Sequence, residues 1–325
     1  MPGARATAHT NIALIKYWGK ADVARNLPAV PSLSLTLDAM KTETEVYFDP
    51  TLSADEVHLD GRVAAGSARE RVIRLLDEVR QRTAGTARAT VITHNDFPTA
   101  SGLASSASGF AALALATLRA AGLEPSLAEA SALARAHSAS AARSLYGGFA
   151  VLETGAEAAR PLEAGDWPLR MQVAITTREA KAIGSTQAME LCRLTSPYYE
   201  GWVRESPRLF EQACKAIEHR DFSALGAAME RSTLLMHASM FAAAPPIIYL
   251  KPTTLHLMAT VESLRKLGTE AYFTMDAGPH VKVLTELRNA GAVARALSEV
   301  PGVERVIDCG PGPAASVRPI SGAPE

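Results

Sequence analysis

The sequence predicts an α+β protein with two lobes and a cleft between them. Two observations indicate this class. In the first half, short alternating apolar stretches are interleaved with helical patterns, whereas the second half has four consecutive helical patterns before strand patterns return. A chain of 325 residues is also long enough to build two lobes around a substantial core.

The first half is predicted to alternate helices with strands. Residues 67–82 form an amphipathic helix, because their apolar side chains fall on one stripe. Ser126 and Glu129 form a capping box that opens a helix ending near His137. The Ala/Leu-rich segment 110–121 is strongly helix-forming. Strands are predicted at 41–48, 57–59, 88–94, 149–153 and 170–177.

The second half is predicted to be mainly helical. Helical patterns cover residues 184–194, 206–218, 222–240 and 253–267. They are followed by a strand at 271–275, a short strand from Val281, a helix near 287–299 and a strand at 305–309. Only the tail after Gly310 is predicted to be disordered, and no internal repeat interrupts the pattern.

The composition is typical of a soluble globular enzyme, with 47% hydrophobic and 21% charged residues. A formal net charge of −1 gives no electrostatic reason to expect nucleic acid or an anionic membrane as a partner. Cys192, Cys214 and Cys309 are scattered, so neither a disulfide framework nor a structural zinc site is expected. With no signal peptide and no apolar run long enough to span a bilayer, a cytoplasmic location is expected.

A Gly/Ser-rich segment at residues 98–110 is the strongest single candidate for a phosphate site. A loop that enters the first turn of a helix presents free backbone N–H groups to an anion. It is not a Walker A loop, because the chain lacks the G-x-x-x-x-G-K-[ST] pattern. Taken alone, the segment fits a serine N-cap on an Ala-rich core helix equally well. The candidate nucleotide contacts are Gly102, Leu103, Ala104, Ser105, Ser106 and Ser108.

Three further segments are dense in functional side chains: residues 8–20, 138–148 and 275–280. With the Gly/Ser-rich segment, in this order and spacing, they resemble the GHMP small-molecule kinase superfamily. Within it, the run Asn-Ile-Ala-Leu-Ile-Lys-Tyr-Trp-Gly-Lys resembles the diphosphomevalonate decarboxylase family. The resemblance implies a ribosomal-protein-S5-like α/β N-terminal lobe over 1–180 and a ferredoxin-like C-terminal lobe over 181–325.

The resemblance also implies a reaction. The family phosphorylates the 3-hydroxyl of diphosphomevalonate with ATP and Mg2+, then eliminates CO2 and phosphate to leave isopentenyl diphosphate. Asp276 is implied to contact that hydroxyl, with Lys16 beside it, where a cation lowers the pKa of the carboxyl group. Without the resemblance, Asp276 would be assigned to an ordinary turn. The Mg2+ ligands stay unassigned.

The resemblance assigns the rest of the substrate as well. Arg143 is implied to hold its carboxylate through a planar fork, supported by Asn11, although the local sequence alone favours an exposed arginine at a helix end. Trp18 and His237 are expected to pack in the core. The 5-diphosphate is implied to bind Tyr17, Lys20, Ser138, Ser140, Ser185 and Thr186.

Several positions depart from the family's usual pattern, among them Gly184, which stands where a serine often precedes Ser185. His137 and Ala139 stand where glycine is usual, and His280 stands where asparagine is usual. Ala139 adds a Cβ where glycine allows a close approach or a positive φ. These changes leave the 5-substituent open, so a 5-phosphomevalonate decarboxylase and a mevalonate 3-kinase are alternatives. A non-catalytic metabolite-binding relative is an alternative of another class. A small-molecule substrate is the expected partner, and a homodimer is the expected assembly.

Overall fold

The computed structural model describes residues 2–97, 105–177 and 183–322. Within these ranges, none of the helices combines the length and the apolar character that crossing a membrane requires. The strands are β1 (Pro2–Ile15), β2 (Lys20–Asp22), β3 (Leu27–Pro28), β4 (Ser32–Asp49), β5 (Glu56–Leu59), β6 (Arg62–Val63), β7 (Arg88–Asn95), β8 (Phe149–Leu152), β9 (Arg160–Leu162), β10 (Leu169–Ile175), β11 (Ala271–Met275), β12 (Val281–Glu286), β13 (Arg305–Cys309) and β14 (Ser316–Ser321). The helices are α1 (Gly66–Thr83), α2 (Ser105–Ala120), α3 (Leu127–His137), α4 (Ser185–Thr195), α5 (Tyr199–Glu218), α6 (Phe222–Phe241), α7 (Pro252–Lys266) and α8 (Ala290–Ser298).

The N-terminal lobe is built on one sheet with the strand order β14-β1-β4-β7-β5-β6, to which β8 and β9 add beside the first half of β4. Among the strand pairs in the described ranges, β5 and β7 are the one parallel pair. Helices α1, α2 and α3 cover one face, and the capping box predicted at Ser126 and Glu129 opens α3. The opposite face of β1 and β4 packs against the C-terminal lobe.

The C-terminal lobe contains an antiparallel sheet with the order β11-β12-β10-β13. When the four strands are numbered along the chain from β10, their order across the sheet is 2-3-1-4, which is the arrangement of two interlocked β-α-β units in a ferredoxin-like sheet. Helices α7 and α8 cover one face, while α5 and α6 lie on the other face, towards the N-terminal lobe. The predicted α+β class with two lobes is therefore confirmed. The predicted boundary between residues 180 and 181 lies outside the described residues, but β10, which precedes it, belongs to the C-terminal sheet, and β14, from the predicted C-terminal lobe, belongs to the N-terminal sheet.

The prediction of a disordered tail after Gly310 is wrong. Strand β14 pairs antiparallel with the first half of β1, for example Val317 with Ala6. Without β14, that half of β1 would be a sheet edge with unpaired N–H and C=O groups. The tail is ordered because β1, at the other end of the chain, needs a pairing partner. The local sequence of the tail does not show this need.

An irregularity in the pairing of β1 with β4 lies where β1 exchanges the faces of its side chains. Between His9 and Asn11 the register shifts, because four residues of β4 stand opposite one residue of β1. Before the shift, Ala6 and Ala8 face the core under α2. After it, Ile12 faces the opposite core and Asn11 lines the cavity. In a regular strand with a period of two, Ile12 would face the same side as Ala8, so the two faces are exchanged at this irregularity.

Candidate active site

A cavity of about 710 Å³ between the lobes collects most of the predicted site residues. Among its described lining residues, five side chains are cationic (Lys16, Lys20, Arg71, Arg74 and Arg143) and one is a carboxylate, so the cavity favours an anionic ligand. A second cavity of about 540 Å³, between α5 and α6, contains none of the predicted residues. The predicted residues in the first cavity are Asn11, Lys16, Tyr17, Lys20, Ser105, Ser106, Ser138, Ser140, Arg143, Ser185, Thr186 and Asp276.

The predicted nucleotide contacts divide into three groups. Ser105 and Ser106, in the first turn of α2 as described, line the cavity. Ser108 is fully buried, and its hydroxyl lies 2.7 Å from that of Thr42, so the structure does not bring it together with the other two serines. Gly102, Leu103 and Ala104 lie outside the described residues.

Asp276 follows β11 and meets Lys16, which follows β1, across the boundary between the lobes. Lys16 Nζ lies 2.6 Å from Asp276 Oδ1. Burial alone would raise the pKa of Asp276, but the charges of Lys16 and Lys282 outweigh it and hold that pKa well below its usual range. Burial also lowers the pKa of Lys16, against the attraction of Asp276. The carboxylate is therefore ionised at neutral pH, and its side chain keeps 23% of its surface exposed, towards the cavity.

Lys282 is a site residue that the sequence analysis missed. Its Nζ lies 2.9 Å from Asp276 Oδ2, and its side chain is fully buried. The available signal was the alternation Val281-Lys282-Val283 in a strand, which places the lysine on the face opposite to the two valines. A lysine at such an inward position indicates a buried carboxylate partner.

Arg143 and Asn11 are joined through the 3-10 segment Ala139–Leu145, which directly follows α3. Asn11 Nδ2 donates to the carbonyl of Ser140 at 3.0 Å and to Ser144 Oγ at 2.7 Å, which ties this segment to β1. Arg143 Nη1 donates to Ser32 Oγ at 2.6 Å, and its Nε is buried with no partner among the described residues. Burial lowers the pKa of Arg143 to about 10, so the group stays charged at neutral pH.

The rest of the cavity lining contains hydroxyls and further cations. Ser138 Oγ and Ser140 Oγ lie 3.4 Å apart. Burial is the main cause that lowers the pKa of Lys20, and the positive charge of Arg71 is the second. The buried hydroxyl of Tyr17 has no partner among the described residues, and burial raises its pKa. Ser185 and Thr186 stand in the first turn of α4. Together these groups form a site for an anion with several oxygens.

Arg71 and Arg74 of α1 also line the cavity, and the sequence analysis predicted neither of them. Their spacing of three residues on the polar side of a predicted amphipathic helix was the available signal. The Arg71 guanidinium lies 4.4 Å from the centre of the Phe110 ring and donates to the carbonyl of His137 at 3.1 Å. This arginine is therefore positioned by α2 and α3 as well as by its own helix.

Three of the departures from the family pattern have structural explanations. His137 Nε2 lies 2.9 Å from Glu78 Oε2, and its ring stacks on Phe110 with an interplanar angle of 5°. Ala139 is buried and is not among the residues with a positive φ, so no glycine is required there. His280 is fully buried with Nδ1 3.2 Å from the backbone nitrogen of Thr176, from which it accepts.

Trp18 and His237 were expected to pack in the core. Trp18 is 2% exposed and packs with Trp202, whose Nε1 donates to the Trp18 carbonyl at 2.8 Å, so the expectation for Trp18 is confirmed. His237 is also 2% exposed and lies beside Phe241 on α6. Burial lowers the pKa of His237 to about 4, which leaves its ring neutral near pH 7.

The donor groups fit a Mg2+ ion that arrives with a nucleotide. Within the described residues, no group of three His, Cys, Asp or Glu side chains could hold a metal by itself. Asp276 is bonded to two lysines, and Ser105 and Ser106 in the first turn of α2 supply hydroxyl oxygens to the cavity. Mg2+ usually keeps several waters and is bound mainly through substrate phosphates.

Comparison with known proteins identifies the family. The profile of the diphosphomevalonate decarboxylase-like N-terminal domain matches residues 8–162, and that of the mevalonate 5-diphosphate decarboxylase C-terminal domain matches residues 171–310. The chain belongs to the diphosphomevalonate decarboxylase family. These two matches meet between β9 and β10, close to where the sheet of the C-terminal lobe begins.

Individual members of the diphosphomevalonate decarboxylase family are similar over nearly the whole chain. A diphosphomevalonate decarboxylase from Candida albicans is 32% identical over 96% of this chain and 98% of its own length. A solved complex with MVAPP, AMPPCP and magnesium is 41% identical, covers 98% of this chain and 99% of its own, and has a TM-score of 0.93. The mevalonate diphosphate decarboxylase structure from Staphylococcus aureus is 38% identical, covers 99% of both chains and has a TM-score of 0.93. The predicted GHMP kinase fold is thereby confirmed.

Proposed function

We propose that this protein catalyses the ATP-dependent decarboxylation of (R)-5-diphosphomevalonate to isopentenyl diphosphate, CO2, ADP and phosphate, a step of isoprenoid biosynthesis through the mevalonate pathway. The observation that carries the proposal is one ionised carboxylate, Asp276, held by Lys16 in a cavity where five of the described lining side chains are cationic and no other is a carboxylate. The relatives named diphosphomevalonate decarboxylase and the complex with MVAPP, AMPPCP and magnesium support the same reaction.

Arg143 binds the carboxylate that leaves as CO2. Its bond to Ser32 fixes the guanidinium, which lines the cavity and whose buried Nε has no partner among the described residues. A planar guanidinium binds a carboxylate through two parallel hydrogen bonds. Asn11 supports this contact by holding the segment that carries Arg143. The substrate carboxylate in turn compensates a buried cation that would otherwise be costly.

Asp276 orients the 3-hydroxyl. The oxygen of that hydroxyl attacks the γ-phosphorus of ATP, its proton passes to Asp276 Oδ1, and ADP leaves. The bond to the carboxylate carbon then breaks, its electron pair forms the new C=C bond, and the 3-phosphate leaves. Because Lys16 and Lys282 hold the pKa of Asp276 low, this carboxylate is a weak base. Orientation of the hydroxyl and transfer of the proton during phosphoryl transfer therefore fit better than prior deprotonation.

The remaining contacts bind the two polyphosphates. Tyr17, Lys20, Ser138, Ser140, Ser185 and Thr186 bind the 5-diphosphate, with Arg71 and Arg74 adding charge. The first turn of α2 binds the ATP phosphates through backbone N–H groups and the hydroxyls of Ser105 and Ser106. Gly102, Leu103 and Ala104, which lie outside the described residues, are proposed to extend this contact on the resemblance to the family. The two hydroxyls would also hold Mg2+, which would neutralise phosphate charge.

A single assay tests the proposal. The purified protein is incubated with ATP, Mg2+ and, separately, mevalonate, 5-phosphomevalonate or 5-diphosphomevalonate, and ADP and CO2 are measured together. The expected result is equal ADP and CO2 from the diphosphate alone. Activity confined to the monophosphate identifies the sister decarboxylase, and ADP without CO2 identifies a 3-kinase. No ADP from any of the three leaves only a non-catalytic metabolite-binding protein.

We also propose that the protein works in the cytoplasm as a homodimer. Cys192, Cys214 and Cys309 are free thiols, which suits a reducing compartment. Tyr198 and Ile248, which flank α4 and α6 in the chain, are 62% and 66% exposed and offer apolar area to a second copy. Cell fractionation tests the location. Light scattering coupled to gel filtration tests the assembly, and a monomeric mass over the micromolar range contradicts the dimer.

A further inference from the structure

We infer that Lys282 is a positioning residue that anchors Asp276 Oδ2, so that the carboxylate presents Oδ1 to the 3-hydroxyl of the substrate. The inference rests on the proposed function and adds a second lysine to it. Lys16 Nζ lies 2.6 Å from Oδ1, and Lys282 Nζ lies 2.9 Å from Oδ2. Each oxygen of Asp276 therefore has its own cation, and the two cations come from different lobes.

Strand register delivers Lys282 to this position. On β12, Val281 and Val283 pack in the core under α7 and α8, so the alternation of side chains places Lys282 on the opposite sheet face. That face looks towards the N-terminal lobe. The neighbours of Lys282 across β10 and β11 are Val173 and Thr274. No part of the lysine is exposed to solvent.

The two oxygens of Asp276 lie in different surroundings. Oδ2 is shielded from solvent and faces Lys282, whereas the side chain as a whole keeps 23% of its surface exposed. That exposure therefore does not belong to Oδ2, which leaves the Oδ1 side open to the cavity. A carboxylate oxygen already bonded to one donor accepts a second. Oδ1 can thus bind Lys16 and the substrate hydroxyl together.

Burying a lysine is a costly way to fill space on a sheet. Removing an ammonium group from water costs several kcal/mol, which a well-placed partner offsets only in part. A methionine of similar volume would pack there without this cost. The effect of Lys282 on Asp276 explains the lysine, because a second cation restricts the carboxylate to one orientation and keeps it ionised.

The other charged or titratable groups that face Asp276 do not replace Lys282. Arg143 interacts with Asp276 from the 3-10 segment, and Lys16 binds the other oxygen. His237 on α6 stays neutral at working pH, because burial lowers its pKa to about 4. Loss of Lys282 therefore removes one of the two cations bonded to the carboxylate, and the remaining burial favours its protonated form.

The test compares the full-length variants Lys282→Met and Lys282→Gln with wild type and with the control Thr274→Val. Thr274 is the buried cross-strand neighbour of Lys282 and carries no charge. With saturating ATP and Mg2+, we expect kcat of Lys282→Met to fall by about 10- to 100-fold while KM for 5-diphosphomevalonate changes by less than about threefold. The acidic limb of the kcat profile should move to higher pH in both Lys282 variants but not in Thr274→Val.

Two outcomes overturn the inference. One is a folded Lys282→Met or Lys282→Gln enzyme whose kcat and acidic limb match wild type. The other is an equal loss of kcat in Thr274→Val, which assigns the effect to packing. If Lys282→Met does not fold, Lys282→Gln, which keeps a hydrogen-bond donor, decides alone. A wild-type enzyme without turnover rejects the proposed function instead, and the orientation of Asp276 in a crystal structure of Lys282→Gln then still tests the lysine.

Discussion

Two buried ionic clusters among the described residues are built in opposite ways. In the N-terminal lobe, Asp55 accepts from both terminal nitrogens of Arg80 and from the backbone nitrogen of Ala89, while Arg80 also bonds to Asp77. Arg88 Nη1 lies 3.7 Å from Asp55 Oδ2, so two cations meet two carboxylates there, and the donors of Arg80 are used. In the cavity, Lys16, Lys282 and Arg143 surround the single carboxylate of Asp276, and Arg143 Nε has no partner among the described residues. A cluster in which charges and hydrogen bonds are paired stabilises the fold, whereas a cluster with excess positive charge favours binding of an anionic ligand.

Among substitutions that test this difference between the two clusters, the largest effect on kcat is expected at Asp276. Asp276→Asn keeps the shape of the side chain but removes its charge and its capacity as a proton acceptor, so we expect kcat to fall by about 10³-fold. Circular dichroism and nucleotide binding should stay near wild type. Turnover near the wild-type level in a folded variant would falsify the assignment of Asp276.

The balanced cluster should behave in the reverse way. Removing one partner of a buried pair leaves an uncompensated charge, so Asp55→Ala should lower the free energy of unfolding by about 3 kcal/mol while kcat per folded molecule is unchanged. Urea unfolding measures the stability. Asp77→Ala is the matched control, because Asp77 is the half-exposed partner of the same arginine, and it should cost less than about 1 kcal/mol. Equal losses in both variants would contradict the contrast.

The geometry of the carboxylate site can be tested without removing its charge. Arg143→Lys keeps a cation but loses the planar fork, so we expect kcat/KM for 5-diphosphomevalonate to fall by about 30- to 100-fold. Ser32→Ala, which frees Nη1 without altering the guanidinium, should give a smaller loss. Steady-state kinetics of both variants measure these losses. If kcat/KM of Arg143→Lys matches that of wild type, the planar guanidinium is not required to bind the carboxylate.

The smallest effect is expected at Arg71 and Arg74, which line the cavity but are less deeply buried than Lys16 and Arg143. Arg71→Gln should raise KM for 5-diphosphomevalonate or ATP by about threefold. The difference in KM between variant and wild type should become smaller at high salt, because salt screens charges that are partly exposed. Arg204→Gln on α5 removes the same charge outside the cavity and serves as the control. A salt-independent change in KM would instead indicate lost packing against Phe110.

The sequence predicted many local elements because their causes are local. The strands at 271–275 and 305–309 are found with the predicted bounds, and the capping box at Ser126 depends only on a residue three positions away. Helix α5 begins at Tyr199 instead of at residue 206, because Trp202 is buried between the lobes and the helix tolerates Pro207. Burial of this kind depends on the rest of the chain, so a local pattern does not show it.

For the site, the sequence by itself determined which residue types are present and in which order, and its motifs were specific enough to indicate the family. Only the tertiary structure decided what they touch. Lys16 and Asp276 form a pair across a separation of 260 residues, Lys282 joins them through strand register, and Ser108 turns into the core instead of towards the cavity. Propensity and capping act over a few residues, whereas ion pairing, burial and register are set by whichever distant segment packs alongside.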